Sequence, residues 1–203
     1  MTGVQRYVAG ARKKGNLLGR ARFLTSTAGV TLAGAAGLDP DSPSFQYKGE
    51  STTALRMAQK QSPERIYFMM GLNDMAQTEE EVPEMVEHYE LLLDQFAGAM
   101  PASELIIMTP PPKIASSWLP DYVRNKDFGN GRIAEFSAAV LDMCNRRGLA
   151  FLDVHSLLAD ENGAMPDEYC SDGYIHLNAA GAKIVTDALY NLAESRGILD
   201  ENQ

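Results

Sequence analysis

The sequence predicts an α/β sandwich on a parallel sheet, and three observations carry that prediction. Four apolar runs of strand length lie along the chain, with helical stripes between and after them. Strands that alternate with helices imply crossover units, in which each strand returns parallel to the last. The runs are continuous rather than strictly alternating, as expected of strands buried on both faces.

Taken in order, the opening MTGVQRYVAGARKKG reads as a helix with Val4, Tyr7, Val8 and Ala11 on one side. ARFLTS, residues 21–26, is the first predicted strand. A short helix is expected over residues 51–59, capped by Ser51. RIYFMM, residues 65–70, is a strand that hands over to GLNDMAQ. Gly, Asn and Asp favour turns, so an isolated G-x-N-D reads first as turn chemistry. Val82, Met85, Val86, Tyr89, Leu92, Leu93 and Phe96 recur at three- and four-residue steps, with Pro83 near the start where proline is tolerated. ELIIMT, residues 104–109, is the third strand, and TPPPK follows at its carboxyl end. The polar stretch KIASSWLPDYVRNKDFGNG, with Trp118 and Tyr122 embedded, reads as a long loop on the same rim. Ile133, Phe136, Val140, Leu141 and Cys144 form a second stripe ending in NRRG, a helix stop. LAFLDV, residues 149–154, is the last strand. Leu177, Gly181, Ile184, Val185, Ala188, Leu189 and Leu192 form the final stripe, closed by Gly197.

The chain has 203 residues, 45% of them hydrophobic, enough for one sizeable domain. A formal net charge of -9 argues against a nucleic-acid or anionic-membrane surface. No stretch approaches the roughly 20 apolar residues of a membrane span. No signal peptide is visible, and no compartment is assigned; an extracytoplasmic one is compatible. Cys144 and Cys170 make no disulfide framework, and each reads as a small buried hydrophobe. Neither C-x-x-C nor H-E-x-x-H occurs, so the sequence supports no metal site.

In open parallel sheets, ligands bind outside the carboxyl ends of the strands, where GLND and TPPPK lie. A second constellation is YCSDGYIHLNAAG, in which Asp172 precedes His176 by four residues. A carboxylate beside an imidazole accepts its Nδ1 proton, fixes the tautomer and frees Nε2 as a general base. A lone His at a helix start is otherwise a cap or surface residue. His88 is expected on a solvated helix face and His155 in a turn.

GLND after a mid-chain strand, together with DGYIHLN before the last helix, resembles the SGNH hydrolases, the GDSL-type esterases and lipases. FLDVHSLLADENGAMPDEYCSDGYIHLN is similar to that family's C-terminal stretch, and ARFLTSTAGVTL to its second block. The resemblance runs from Arg20 to the C-terminus. It implies a three-layer α/β/α sandwich with a flavodoxin-like parallel sheet, and a serine hydrolase needing no metal or cofactor. It also implies His176 as base, Asp172 as its orienter, and Asn73 and Gly29 as oxyanion-hole donors. Asp74 is expected to brace the loop. The implied substrate is a small-molecule or carbohydrate ester bearing an O-acyl group such as acetyl.

Two departures from the family pattern stand out. Its nucleophile lies in a Gly-Asp-Ser motif after the first strand, and no such triplet occurs here. The expectation is a single domain over residues 1–203, incomplete at its N-terminus, with the first strand and its serine upstream of Met1. Ser26 is the serious substitute within the chain, while Ser51 and Ser171 have ordinary readings as cap and turn residue. Asp and His are also four residues apart instead of the commoner three, so Tyr174 or Ile175 must bulge for Asp172 to reach Nδ1. Failing that, Asp153 or Asp167 takes the orienting role. The rival from another class is a ligand- or carbohydrate-binding domain that has lost its nucleophile. A nucleotide binder is disfavoured, because neither G-x-G-x-x-G nor a P-loop is present.

Overall fold

The computed structural model describes residues 30–39, 45–47, 50–115, 123–125 and 128–196. The expected opening helix, the 21–26 strand, Ser26, Gly29, Trp118, Tyr122 and Gly197 lie outside the described residues. The chain divides into two compact units, one of residues 24–110 and 120–153, the other of residues 1–23, 111–119 and 154–203.

The first unit holds the sheet. Strands β3 (Arg65–Met69), β4 (Glu104–Met108) and β5 (Ala150–Leu152) pair in that order, all parallel. Leu105 to Met108 are buried throughout, as expected of a central strand. In β3 only Ile66 and Phe68 are buried, while Tyr67 and Met69 face outward, so this strand is not covered on both faces as its continuous apolar run implies. A small antiparallel hairpin, β1 (Phe45–Tyr47) with β2 (Glu50–Thr52), precedes helix α2 (Ala54–Gln61). The hairpin corrects the sequence reading: Ser51 lies in a strand, and the cap is Thr53, whose hydroxyl accepts the Arg56 N–H.

Helix α4 (Val82–Ala99) is the main packing element. All seven residues of its expected stripe are buried, and Phe96 meets Phe68 of β3 edge-on at 4.9 Å. Helix α5 (Asn130–Arg147) packs on α4 and ends at Gly148, as NRRG predicts. Ile133, Phe136, Val140 and Cys144 are buried, and burial pushes the Cys144 thiol up to about 11. That suits an inert apolar role. His88 of α4 is not solvated. It is half-buried with Nδ1 3.3 Å from Glu80 Oε2, although the two are not aligned for a hydrogen bond. Helix α1 (Leu32–Ala36), capped by the Thr31 hydroxyl, lies against α4, where Gln95 Nε2 donates to the Ala36 carbonyl at 2.8 Å.

The second unit contains α6 (Val154–Leu158), a 3-10 turn (Asp167–Tyr169) and α7 (Ala179–Ser195). His155 sits in α6 and not in a turn. Of the final stripe, Gly181 and Val185 are buried, and the larger Ile184, Leu189 and Leu192 are half-buried. The side chain of Asn178 caps α7 through the N–H groups of Ala180 and Gly181.

Candidate active site

The segment that carries Asp172 and His176 is one tightly closed loop. Cys170 and Leu177 form an isolated antiparallel bridge, and Asn178 Nδ2 donates to the carbonyls of Glu168 and Cys170 at 2.7 and 3.1 Å. Between these ends the chain must reverse, and Gly173 does so at φ +69°, where a side chain is disfavoured. Asp172 fills the loop. Its Oδ1 accepts the N–H groups of Tyr174, Ile175 and His176 at 3.0, 3.1 and 3.2 Å, and the Cys170 Sγ lies 3.3 Å from the same oxygen.

The other oxygen, Oδ2, stands 2.5 Å from His176 Nδ1. One carboxylate therefore splits its duties: one oxygen holds the backbone, the other the imidazole. Partial burial works against the Asp172 charge, but the bonds from His176, Cys170 and the His176 and Ile175 amides outweigh it and hold the carboxyl at about 2. The carboxylate is thus ionised at neutral pH, and it engages Nδ1 of the ring. The His176 side chain is 64% exposed, and its Nε2 has no hydrogen-bond partner among the described residues. Ser171 holds the remaining polar group of His176: its N–H and its hydroxyl both donate to the His176 carbonyl, at 2.7 and 3.0 Å.

The four-residue spacing therefore needs no bulge; the Asp-Gly turn absorbs the extra residue. Neither alternative orienter is called for. Asp153 accepts the Thr109 hydroxyl at 2.9 Å, and Asp167 begins the 3-10 turn. The reading of Cys170 as a buried hydrophobe is corrected: it is half-buried, and its sulfur also accepts the Tyr174 N–H at 3.2 Å. Its spacing of two from Asp172 was the available signal.

Asn73 lies in the first unit, on helix α3 (Leu72–Gln77) and not in an open turn. Gly71 opens that helix at φ +107° with Phe136 packed against its Cα, where an added Cβ would stand 2.3 Å from the ring. The side chain of Asn73 is half-buried, and its Nδ2 donates to the Val30 carbonyl at 2.8 Å. One amide N–H is thereby committed and the plane of the group is set, leaving a second N–H. Asp74 is fully buried, and its Oδ1 accepts the Leu32 N–H at 2.6 Å. It does brace, as expected, but what it braces is the start of α1. Of the long rim loop, residues 124 and 125 dock on α3 through N–H donation to the Ala76 carbonyl at 2.8 and 3.1 Å. Asp172 and His176 are thus brought together, and Asn73 is brought against the residue that follows Gly29. No group of three or more metal-ligating side chains occurs among the described residues, and no helix among them is long and apolar enough to cross a membrane.

A parallel α/β sheet, a G-x-N-D helix start and an Asp-His pair before the last helix define an acylhydrolase class, and sequence comparison agrees. The chain belongs to the GDSL-like Lipase/Acylhydrolase family, whose profile matches residues 8–184. It is 28% identical over 145 residues to the isoamyl acetate-hydrolyzing esterase 1 homolog of Bos taurus, a match of 66% of this chain and 57% of the relative. The chain therefore spans little more than half of that protein's length. Among solved structures, a GDSL-like lipase from Bacteroides thetaiotaomicron superposes with a TM-score of 0.59 at 17% identity, covering 70% of this chain and 67% of that one. A carbohydrate acetylesterase from Sinorhizobium meliloti does so at 0.57 and 20% identity, covering 82% and 74%. These likenesses show the fold: the α/β sandwich of the SGNH hydrolases.

Proposed function

We propose that the protein is a carboxylic ester hydrolase acting through a serine acyl-enzyme, and that its substrate is an O-acyl, chiefly O-acetyl, ester of a carbohydrate or another small alcohol. The observation that carries the reading is the Asp172–His176 pair, 2.5 Å from Oδ2 to Nδ1, with Nε2 unpartnered among the described residues and the side chain exposed. In this reading His176 Nε2 takes the proton of the serine hydroxyl as its oxygen attacks the ester carbonyl. Asp172 holds the tautomer and balances the imidazolium. The second N–H of Asn73 and the backbone N–H of Gly29 meet the oxyanion, which carries charge only in the tetrahedral intermediate. Return of the proton from His176 expels the alcohol, and a water then repeats the sequence to release the acid. The acetyl preference draws on relatives named for isoamyl acetate and for carbohydrate acetyl esters.

The serine is the open part of the assignment. No Gly-Asp-Ser occurs in the 203 residues, and we propose that the serine is supplied by preceding polypeptide. The test is hydrolysis of an activated acetyl ester by these residues, alone and joined to the preceding in-frame coding sequence. The expected result is near-background turnover alone and a large rise when a strand ending in Gly-Asp-Ser is restored, abolished by His176→Ala. Strong activity of the 203 residues that disappears in Ser26→Ala would move the nucleophile to Ser26. Inactivity of both forms, with retained ligand binding, would favour the binding-domain reading, which the absent triplet also supports.

A further inference from the structure

We propose that Asp74 is a positioning residue of the oxyanion side of the site: with Asn73 it clamps residues 30–32, the segment that directly follows Gly29. This inference rests on the assignment of Asn73 and Gly29 as oxyanion donors. Two neighbouring residues in the first turn of α3 reach the same three-residue segment from opposite chemical directions. Asn73 Nδ2 donates to the Val30 carbonyl at 2.8 Å, and Asp74 Oδ1 accepts the Leu32 N–H at 2.6 Å. One such bond leaves a segment free to pivot about it. Two bonds, two residues apart and opposite in polarity, remove that rotation. The Leu32 N–H belongs to the first turn of α1, whose donors have no acceptor within their own helix. Thr31, between the two anchored residues, caps α1, so the clamp also sets where that helix begins. The Val30 side chain packs with Met57 and half-buried Met70. That apolar contact holds the segment down without fixing its register.

Asp74 is an unusual residue to find in this place. It is fully buried, and Oδ2 finds no hydrogen-bond partner among the described residues. A leucine would fill such a position without the cost of desolvating a carboxyl. What only Asp, or the isosteric Asn, supplies is an acceptor aimed at the Leu32 N–H. Burial pushes its pKa up to about 7; the Leu32 bond and its own backbone N–H oppose the rise, as does His88, while Glu80 adds to it. The carboxyl therefore exists in both protonation states near neutrality, and Oδ1 accepts the bond in either. The charged groups that act on it are Glu80 and, on α4, His88, and it in turn adds to the rise that burial imposes on Tyr89 of that helix.

The test is NMR of the intact chain and two variants, with amide exchange and ¹⁵N relaxation read at residues 30–32 and in α4. In the wild type the Leu32 amide resonance is expected to move with pH about a midpoint near 7. In Asp74→Asn that movement should vanish while slow exchange is kept, because the amide oxygen still accepts. In Asp74→Ala the Leu32 amide should exchange up to about 10-fold faster, the loss of a buried hydrogen bond. Order parameters at Val30 and Thr31 should fall while those of α4 stay unchanged. Unaltered Leu32 exchange in Asp74→Ala would overturn the clamp, and so would equal acceleration throughout α4, which would make Asp74 a residue of general stability. A Leu32 resonance that titrates identically in Asp74→Asn would also overturn it. None of these readings uses turnover, so the clamp stands or falls separately from the hydrolase assignment, which His176→Ala tests.

Discussion

Replacing Asp74 by Asn should change how the stability of the fold depends on pH. The carboxyl lies at about 7 in the folded chain against an ordinary value of 3.8, because burial penalises its charge. Its neutral form is the one the fold favours. A group raised in this way contributes stability that is fully present below its unfolded value and is lost as pH rises through its folded value. The window here runs from about pH 4 to about pH 7. Across roughly three pH units at about 1.36 kcal/mol each, the wild type should lose about 4 kcal/mol relative to a chain whose residue 74 cannot ionise. Asparagine keeps the acceptor for Leu32 but buries an amide N–H₂ where Oδ2 has no partner, a cost of about 1–3 kcal/mol at every pH. The two stability curves should therefore cross: wild type above Asp74→Asn near pH 4.5, the variant above the wild type near pH 8.

Urea unfolding followed by far-UV circular dichroism at several pH values and constant ionic strength measures both curves. Only their difference matters, because every other titrating group is common to the two proteins. Parallel curves would refute the argument, since Asp74 would then not titrate in this window. A difference of opposite sign, with the wild type gaining on the variant as pH rises, would mean that the Leu32 bond outweighs burial and holds the carboxylate charged.

The remaining predictions concern the helix that carries Asn73 and the loop that carries Asp172 and His176. Gly71→Ala should lower the urea midpoint by the equivalent of about 2–4 kcal/mol, since it forces a side chain into φ +107° and 2.3 Å from Phe136; an unchanged midpoint would deny the close approach. Asn73→Ala, in the serine-bearing polypeptide, should lower kcat by about 10²–10³ with little change in KM, and a rise in KM alone would make Asn73 a uniform substrate contact. Asp172→Asn should lower kcat by about 10⁴ while leaving the circular dichroism spectrum unaltered. The Asp172 carboxyl is held at about 2, so its contribution to stability is present above the ordinary carboxylate range and is lost as pH falls from about 4 to about 2. The variant should lack that acid limb, and an identical acid limb in both proteins would count against the hydrogen-bond set around Oδ1 and Oδ2.

The parts of the fold that were legible in the sequence are those set by periodicity. The stripe from Val82 to Phe96 is buried residue for residue, and NRRG ends its helix where a stop signal should. The misread parts lack a period. Residues 51 and 52 pair with a strand before α2 begins, and a three-residue strand is too short to alternate visibly. Within GLNDMAQ, Leu72–Gln77 is a helix of six residues, shorter than two turns, so the turn-forming composition dominates the reading. The pairing of Asp172 with His176 was legible because both lie in one loop. The Asp74–Leu32 bond spans 42 residues and the Asn73–Val30 bond 43, and no local pattern announces either partner.

The departure from family spacing says most about how the histidine loop works. A carboxylate three residues before an imidazole leaves little chain between the two groups, whereas a gap of four places Gly173, Tyr174 and Ile175 there, each with a backbone N–H. A buried or half-buried N–H without an acceptor is costly, so the longer loop must find partners for the amides it adds. Asp172 supplies them. Oδ1 takes the N–H groups of Tyr174, Ile175 and His176, and the positive φ of Gly173 turns the chain tightly enough for all three to point at one oxygen. The same bonds lower the carboxyl's pKa, which keeps Oδ2 charged for the imidazole. In this loop, satisfying the backbone and orienting the base are one requirement met by one side chain. An alanine at residue 172 would therefore release the loop as well as the ring, which is why asparagine, with its amide oxygen still able to accept the three amides, is the substitution that isolates the charge.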